Sequence, residues 1–429
     1  MKRIGWAGLA LLFIVPRTAL PEEAGAPDFA VLVERHEERT IGDRRWFHEH
    51  PELALREVET QRRVIEALAE IPGVEIVEGE WGTGVVALLR GGTAGPLVAW
   101  RADMDALSVA EETGLPFAST RTDTSGGRTV GLMHACGHDI HMSVALGAAR
   151  VLSDARAAMR GSVLFIFQPA EEIGAGAAQM IEAGVFADGR LPRCVLALHD
   201  HPTLLVGQVG SCPGWSSANV DAFRLTVKGK GGHGAYPHET IDPVTLAARM
   251  ILAFQSIVSR EIGVNRHAVI SVGSMHGGSK SSAIPDEVVL TATVRSQDDE
   301  TRAGLHSRIE RTARGLAAAA GAPEPVLEYT LGTPAGYNDP RLVAEAREVF
   351  RRVLGPENDL TYEPGMGGED FSYYGRIVPG FQFRLGVAPE GAEMALHSAT
   401  FDPDERAIPI GVRVVAELLW DQIHREAGD

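Results

Sequence analysis

The sequence predicts an α/β protein, a doubly wound mixed sheet carrying an inserted, smaller α+β domain of ferredoxin-like order. Three observations predict it. Apolar runs of strand length, Pro96–Trp100, Ser162–Phe167 and Cys194–Leu198, each lead into polar, ligand-rich residues and then toward a helical stretch, as parallel strands buried on both faces do. From Ala218 the texture changes to alternation, as in Asp221-Ala-Phe-Arg-Leu-Thr-Val-Lys228, which reads as a half-exposed strand. Toward the end the first texture returns. Residues 27–214 and 329–429 are therefore assigned to one domain and 215–328 to the insertion. A chain of 429 residues is also too long for one ordinary core.

Composition narrows the partners. With 45% apolar and 23% charged residues the chain is globular. A formal net charge of −17 argues against nucleic acid, which needs a basic surface. It also gives no general attraction for anions, so a substrate carboxylate has to be met locally. Lys2 and Arg3 precede the apolar run Ile4–Val15, and a small-residue segment ends at Ala24-Gly-Ala26. That order predicts a secretory signal over residues 1–26 and a secreted or periplasmic protein. The run is short for a bilayer span, and an uncleaved interfacial anchor is the alternative. Of the three cysteines, Cys194 and Cys212 are either an oxidised pair or two buried thiols.

In chain order, residues 28–68 read as helical, with Pro51 breaking the pattern inside His48-Glu-His-Pro-Glu52. That stretch is either a helix cap or an approach to a metal. Strand-like runs follow at 74–77 and 84–89. The strand ending at Trp100 continues into Arg101-Ala-Asp-Met-Asp105. Asp103 and Asp105 fall on one side of an extended chain, at the carboxyl end of a strand, where open α/β sheets hold ligands.

The densest stretch is His134-Ala-Cys-Gly-His-Asp-Ile-His141. Thiolate and imidazole are the ligands a divalent transition metal prefers. Ile140–Leu152 reads as a helix, so these residues lie where a loop enters a helix, whose positive end favours a thiolate. The bland alternative is a polar surface cluster. After Phe167 comes Gln168-Pro-Ala-Glu-Glu-Ile173. Two adjacent glutamates are costly to bury without a purpose. One carboxylate can hold a metal while its neighbour acts as a base; a charged helix start is the alternative. His199 ends the next strand and is a fourth candidate ligand, with His201 as its competitor. In the insertion, Gly229-Lys-Gly-Gly-His233 lacks the ending of a phosphate-binding loop. Later come the carboxylate-bearing loop Gly365–Ser372, a strand at 381–385, His397 in a loop, and a last helix at 408–424.

Taken in order, His-Ala-Cys-Gly-His-Asp, Gln-Pro-Ala-Glu-Glu, the strand-end His199, Gly-Lys-Gly-Gly-His and Leu-His-Ser resemble the aminoacylase and carboxypeptidase G superfamily of metallopeptidases. The match is to its N-acyl-amino-acid amidohydrolase branch, with hippurate hydrolases and indoleacetyl-amino-acid hydrolases, and runs from about His48 to the last helix. The resemblance implies two divalent ions (zinc, manganese, cobalt or nickel) held by Cys136, His138, Glu172, His199 and His397. It implies Glu171 as general base and Asp105 as a residue that orients the metal site. It places His233 on a lid domain, reaching a catalytic centre that in relatives is often a dimer partner's. The implied reaction is hydrolysis of N-acyl amino acids to a carboxylic acid and a free amino acid, in a homodimer or larger homo-oligomer. Two departures bear on the substrate: Asp200-His201 stands where the branch has an aromatic, and Ser282 where it has an asparagine. A dipeptidase or carboxypeptidase is the nearest alternative. Further off are a hydrolase using Cys136 as nucleophile and a non-catalytic metal-binding module.

Overall fold

The protein is described by a computed structural model over residues 27–425. The expected secretory segment at 1–26 lies outside the described residues. None of the described helices is long and apolar enough to cross a membrane.

An eight-stranded mixed sheet forms the larger body. Its order is Val74–Val77, Val85–Arg90, Arg160–Gln168, Thr93–Asp103, Val195–Leu205, Gly380–Ala388, Val209–Ser211 and Asp359–Thr361. The central members Arg160–Gln168, Thr93–Asp103, Val195–Leu205 and Gly380–Ala388 run parallel. Their near-continuous apolar runs have the reason the sequence suggests: both faces are covered. Val163, Phe165 and Phe167 pack under the helices Phe29–Glu49, His138–Ala155 and Ala407–His424. Leu164 and Ile166, one residue out of phase, pack against Met180 and Tyr374 on the other face.

The second sheet is antiparallel, in the order Ala268–His276, Glu287–Ser296, Asn219–Lys228 and Val326–Thr330. With the helices Pro243–Ser256 and Asp299–Ala319 it follows a strand-helix-strand-strand-helix-strand path, the ferredoxin-like arrangement. Phe223, Leu225 and Val227 meet Leu246, Phe254 and Leu305 in its core. The alternate residues Ala222, Arg224 and Lys228 are exposed, so one face of this sheet is bare.

Three local features differ from the sequence reading. The long N-terminal helical stretch is two helices, Phe29–Glu49 and Val58–Ala69. No side chain of the cap residue Glu57 bonds to the second helix start. Glu52 does so instead, accepting from the Glu59 and Thr60 amides at 3.2 and 2.8 Å. The third helix begins at His138 rather than Ile140. The hairpin Thr122–Ser125/Arg128–Gly131 and the strands Val209–Ser211 and Asp359–Thr361 are too short for periodicity to reveal.

Candidate metal centre

Register across the parallel strands aligns polar residues, two of them strand ends, whereas His199 lies inside a strand that runs on to Leu205 rather than at its end. Asp103 stands opposite Gln168 and His199 opposite Arg384. The turn Ala135–Gly137 brings the metal-ligand stretch to the same edge. Gly137 has φ 76°, and a Cβ there would lie 2.5 Å from the Asp200 carboxylate. Glycine is required on both counts.

Histidine tautomers separate ligand candidates from ion-pair partners. His138 Nδ1 donates to the Asp105 carbonyl at 2.8 Å, which leaves Nε2 with its lone pair. His199 Nδ1 donates to the Asp200 carbonyl at 2.8 Å, and its Nε2 lies 3.5 Å from Cys136 Sγ. His141 is tied on both sides, to Asp103 at 2.5 Å and Asp200 at 3.0 Å, so it has no nitrogen to spare. His48 likewise sits between Asp139 at 2.9 Å and Glu111 at 3.0 Å. Burial opposes its charge, but those two carboxylates raise its pKa. The His48–Glu52 stretch is thus an ion pair and a helix cap. His134 is buried with neither ring nitrogen bonded, and burial holds its pKa down at about 3.

The glutamate pair is set by Asp105. Its two carboxylate oxygens accept the backbone N–H groups of Glu171 and Glu172 at 2.9 and 3.0 Å. Ala170, just before them, has φ 55°, the left-handed strain that tends to collect at functional turns. Both glutamate side chains are 11% exposed, and their carboxylates lie 4.0 and 3.9 Å from His138 Nε2. His397 also has a left-handed backbone, φ 62°. Its amide donates to the Ala135 carbonyl at 2.7 Å, and its Nε2 lies 3.7 Å from Glu172.

The five expected ligands therefore meet. Cys136, His138 and His199 form one group whose ligand atoms lie within 4.8 Å of one another; Cys136, Glu172 and His397 form another. The two groups share the thiol. Their donor set suits divalent cations on a direct observation: His138 Nε2 and Glu172 Oε1 are buried and have no hydrogen-bond partner. Charge agrees. Burial works against a His138 imidazolium, yet Asp103, Asp105 and Cys136 outweigh it and hold the pKa well above the ordinary value. Burial, with Glu172 and Asp200, pushes the Cys136 thiol up against the pull of His138. Burial, with Glu369 and Asp370 behind it, pushes the Glu171 carboxyl well up.

These groups open onto a cleft of about 860 Å³. Asp200 and His201 line it; His201 turns Nδ1 toward the Thr203 hydroxyl at 3.1 Å. His233 does not line it. That ring is exposed, its Nδ1 accepting from the Ala235 amide at 3.1 Å. Ser282 lies beside His233, its carbonyl accepting from Gly234 at 2.8 Å. Cys194 and Cys212 are separate free thiols.

Sequence reasoning missed the support behind the cleft. Arg101 is fully buried and donates to Gln168 at 2.8 Å, Glu369 at 3.1 Å, Asp370 at 2.8 Å, and Asp103. Gln382 donates to Glu369 at 2.7 Å, and the Ala177 amide to Asp370 at 3.0 Å. Burial pushes Asp370 up to about 7; Arg101 opposes this and Glu369 adds to it. An arginine inside an apolar parallel strand was the available signal, because a buried charge needs partners.

Comparison with known proteins agrees with this geometry. Residues 99–421 match the model of peptidase family M20/M25/M40. N-acetylcysteine deacetylase of Bacillus subtilis is 39% identical over 89% of this chain and 96% of its own length. N-acetyldiaminopimelate deacetylase of Brevibacillus brevis is 36% identical over 88% and 96%. A solved dinuclear metal-binding peptidase of the M20 family from Bacillus subtilis superposes with a TM-score of 0.79 at 36% identity, covering 91% of this chain and 99% of that one. The chain belongs to the M20/M25/M40 peptidase family.

Proposed function

We propose that the protein is a metal-dependent amidohydrolase that cleaves N-acyl amino acids to a carboxylic acid and a free amino acid. The observation that carries this reading is the pair of unpartnered, buried ligand atoms on His138 and Glu172, converging with Cys136, His199 and His397 beside a second carboxylate, Glu171. Related deacetylases and a dinuclear peptidase of the same family support it.

Divalent cations bound there supply Lewis acidity, polarising a carbonyl and acidifying water. The chain's own groups do the rest. Asp105 pins the two glutamate amides so that the Glu172 carboxylate faces the ligand cluster and Glu171 stays free. Glu171 takes a proton from the attacking water and returns it to the leaving nitrogen. Burial and the neighbouring Glu369 and Asp370 raise its pKa, the direction that helps a carboxylate accept a proton before it returns it. Arg295 is a half-buried cleft residue with no carboxylate within 4.0 Å among the described residues; it meets the substrate carboxylate that an acidic protein cannot attract by net charge. His233 stabilises the developing oxyanion. Since it does not line its own cleft, it is supplied by a partner subunit. Mixing the inactive variants Glu171→Gln and His233→Ala under conditions of subunit exchange restores turnover on this reading. Failure to complement, with exchange demonstrated, returns His233 to its own chain.

The test of the main reading is metal analysis coupled to amino-acid release from N-acetyl, N-benzoyl and dipeptide substrates. Turnover is expected to vanish on chelation and return with zinc, manganese, cobalt or nickel. Turnover that survives chelation and dies with a thiol alkylator would identify a Cys136 nucleophile. The raised thiol pKa argues against that chemistry, which needs an accessible thiolate. Bound metal without hydrolysis of any member of the panel would leave a binding module.

A further inference from the structure

The hydrolysis proposed above asks for one positive group to hold one substrate carboxylate. The cleft has two. Arg295 comes from the second sheet, at the Val220–Arg295 pair. Arg384 comes from the large sheet, directly opposite His199 in register. Neither is in an ion pair with any carboxylate within 4.0 Å among the described residues, although acidic residues outnumber basic ones 57 to 40. The arginine behind the cleft behaves differently: Arg101 is ion-paired with Asp103, Glu369 and Asp370 at once.

Arg384 is also held. Its guanidinium carbon lies 5.5 Å from the centre of the Tyr362 ring, within cation–π reach of it, and a guanidinium can meet a planar carboxylate with two N–H groups. The His201 ring lies 6.5 Å from the same tyrosine. Glu363 is exposed on the same wall and is not paired with Arg384. A half-buried guanidinium without a counter-ion, on the wall that carries the candidate ligand His199, is a site prepared for an anion.

We propose that Arg384, beside Tyr362, forms a second carboxylate subsite, and that the preferred substrates are N-acyl amino acids bearing two carboxylates. This rests on the amidohydrolase reading. The second carboxylate comes either from an acidic amino-acid side chain or from a dicarboxylic acyl group; the recognising chemistry is the same.

The experiment uses the metal-loaded enzyme and two matched pairs: N-acetyl-L-glutamate against N-acetyl-L-glutamine, and N-succinyl-L-methionine against N-butanoyl-L-methionine. A charge-assisted contact predicts a kcat/KM about 10- to 100-fold higher for the diacid in one pair, carried mainly by KM. The pair that shows it locates the second carboxylate on the amine or the acyl side. Arg384→Met should bring that ratio close to unity, and Arg384→Lys should restore part of it. Ratios near or below unity in both pairs for the unmodified enzyme overturn the subsite while leaving the amidohydrolase intact. Persistence of the preference in a folded Arg384→Met enzyme also overturns it. Hydrolysis of none of the four, or of any other N-acyl amino acid, overturns the amidohydrolase reading itself. The ratio in the unmodified enzyme decides even where a variant fails to fold.

Discussion

Two adjacent acidic pairs border the same cleft, and they do different things. Glu369 and Asp370 are hydrogen-bonded at their oxygens, by Arg101, Gln168, Gln382 and the Ala177 amide. Glu171 and Glu172 donate their backbone N–H groups to Asp105, and Glu172 Oε1 has no hydrogen-bond partner. Similar acidic dipeptides are tied down in one place and left open in the other. What separates them is whether nearby donors have already occupied the carboxylate lone pairs. The histidines divide in the same way: His48 and His141 are bonded at both nitrogens, whereas His138 and His199 keep one free.

Substitutions sharpen that contrast. The largest effect is expected at Glu171. Glu171→Gln should lower kcat by roughly 10²- to 10⁴-fold, the usual worth of a general base, with metal content unchanged by elemental analysis. A near-normal kcat would remove Glu171 from proton transfer. Next comes the hydrogen-bonded pair. Arg101→Met strands three buried carboxylates, and unfolding in denaturant should show a loss of about 3–5 kcal/mol, the cost of breaking a buried ion pair from one side. A variant as stable as the parent would mean that Glu369 and Asp370 are not held by Arg101, and the contrast between the two pairs would collapse. The smallest effect lies outside the cleft. Glu52→Ala removes a carboxylate that caps a helix start, for a loss of about 1 kcal/mol with kcat unchanged. A marked fall in turnover there would return the His48–Glu52 stretch to the catalytic centre.

Much of this architecture is legible in the order of the residues. Apolar runs at 97–100, 163–167 and 195–198 mark parallel strands because burial on both faces leaves no polar alternation. The switch to alternation at Asp221 marks a sheet with one open face, and the bare Ala222, Arg224 and Lys228 are that face. The ligand stretch is legible because thiol, imidazole and carboxylate at strand ends have few other reasons to recur. Arg101 and Arg384 are easily passed over because each looks like an isolated charge in a strand, and only register shows what stands opposite.

Residue order points to the layered α/β plan and the inserted antiparallel sheet through periodicity within local windows, and to the family through the resemblance of motifs that follow one another along the whole chain. Which histidines keep a lone pair, which glutamates stay unpaired, and that His233 stands away from its own cleft emerge only when the chain is folded. The reason is physical: hydrogen-bond satisfaction depends on partners more than a hundred residues away in sequence, such as Arg101 with Asp370, and chain spacing carries no record of them.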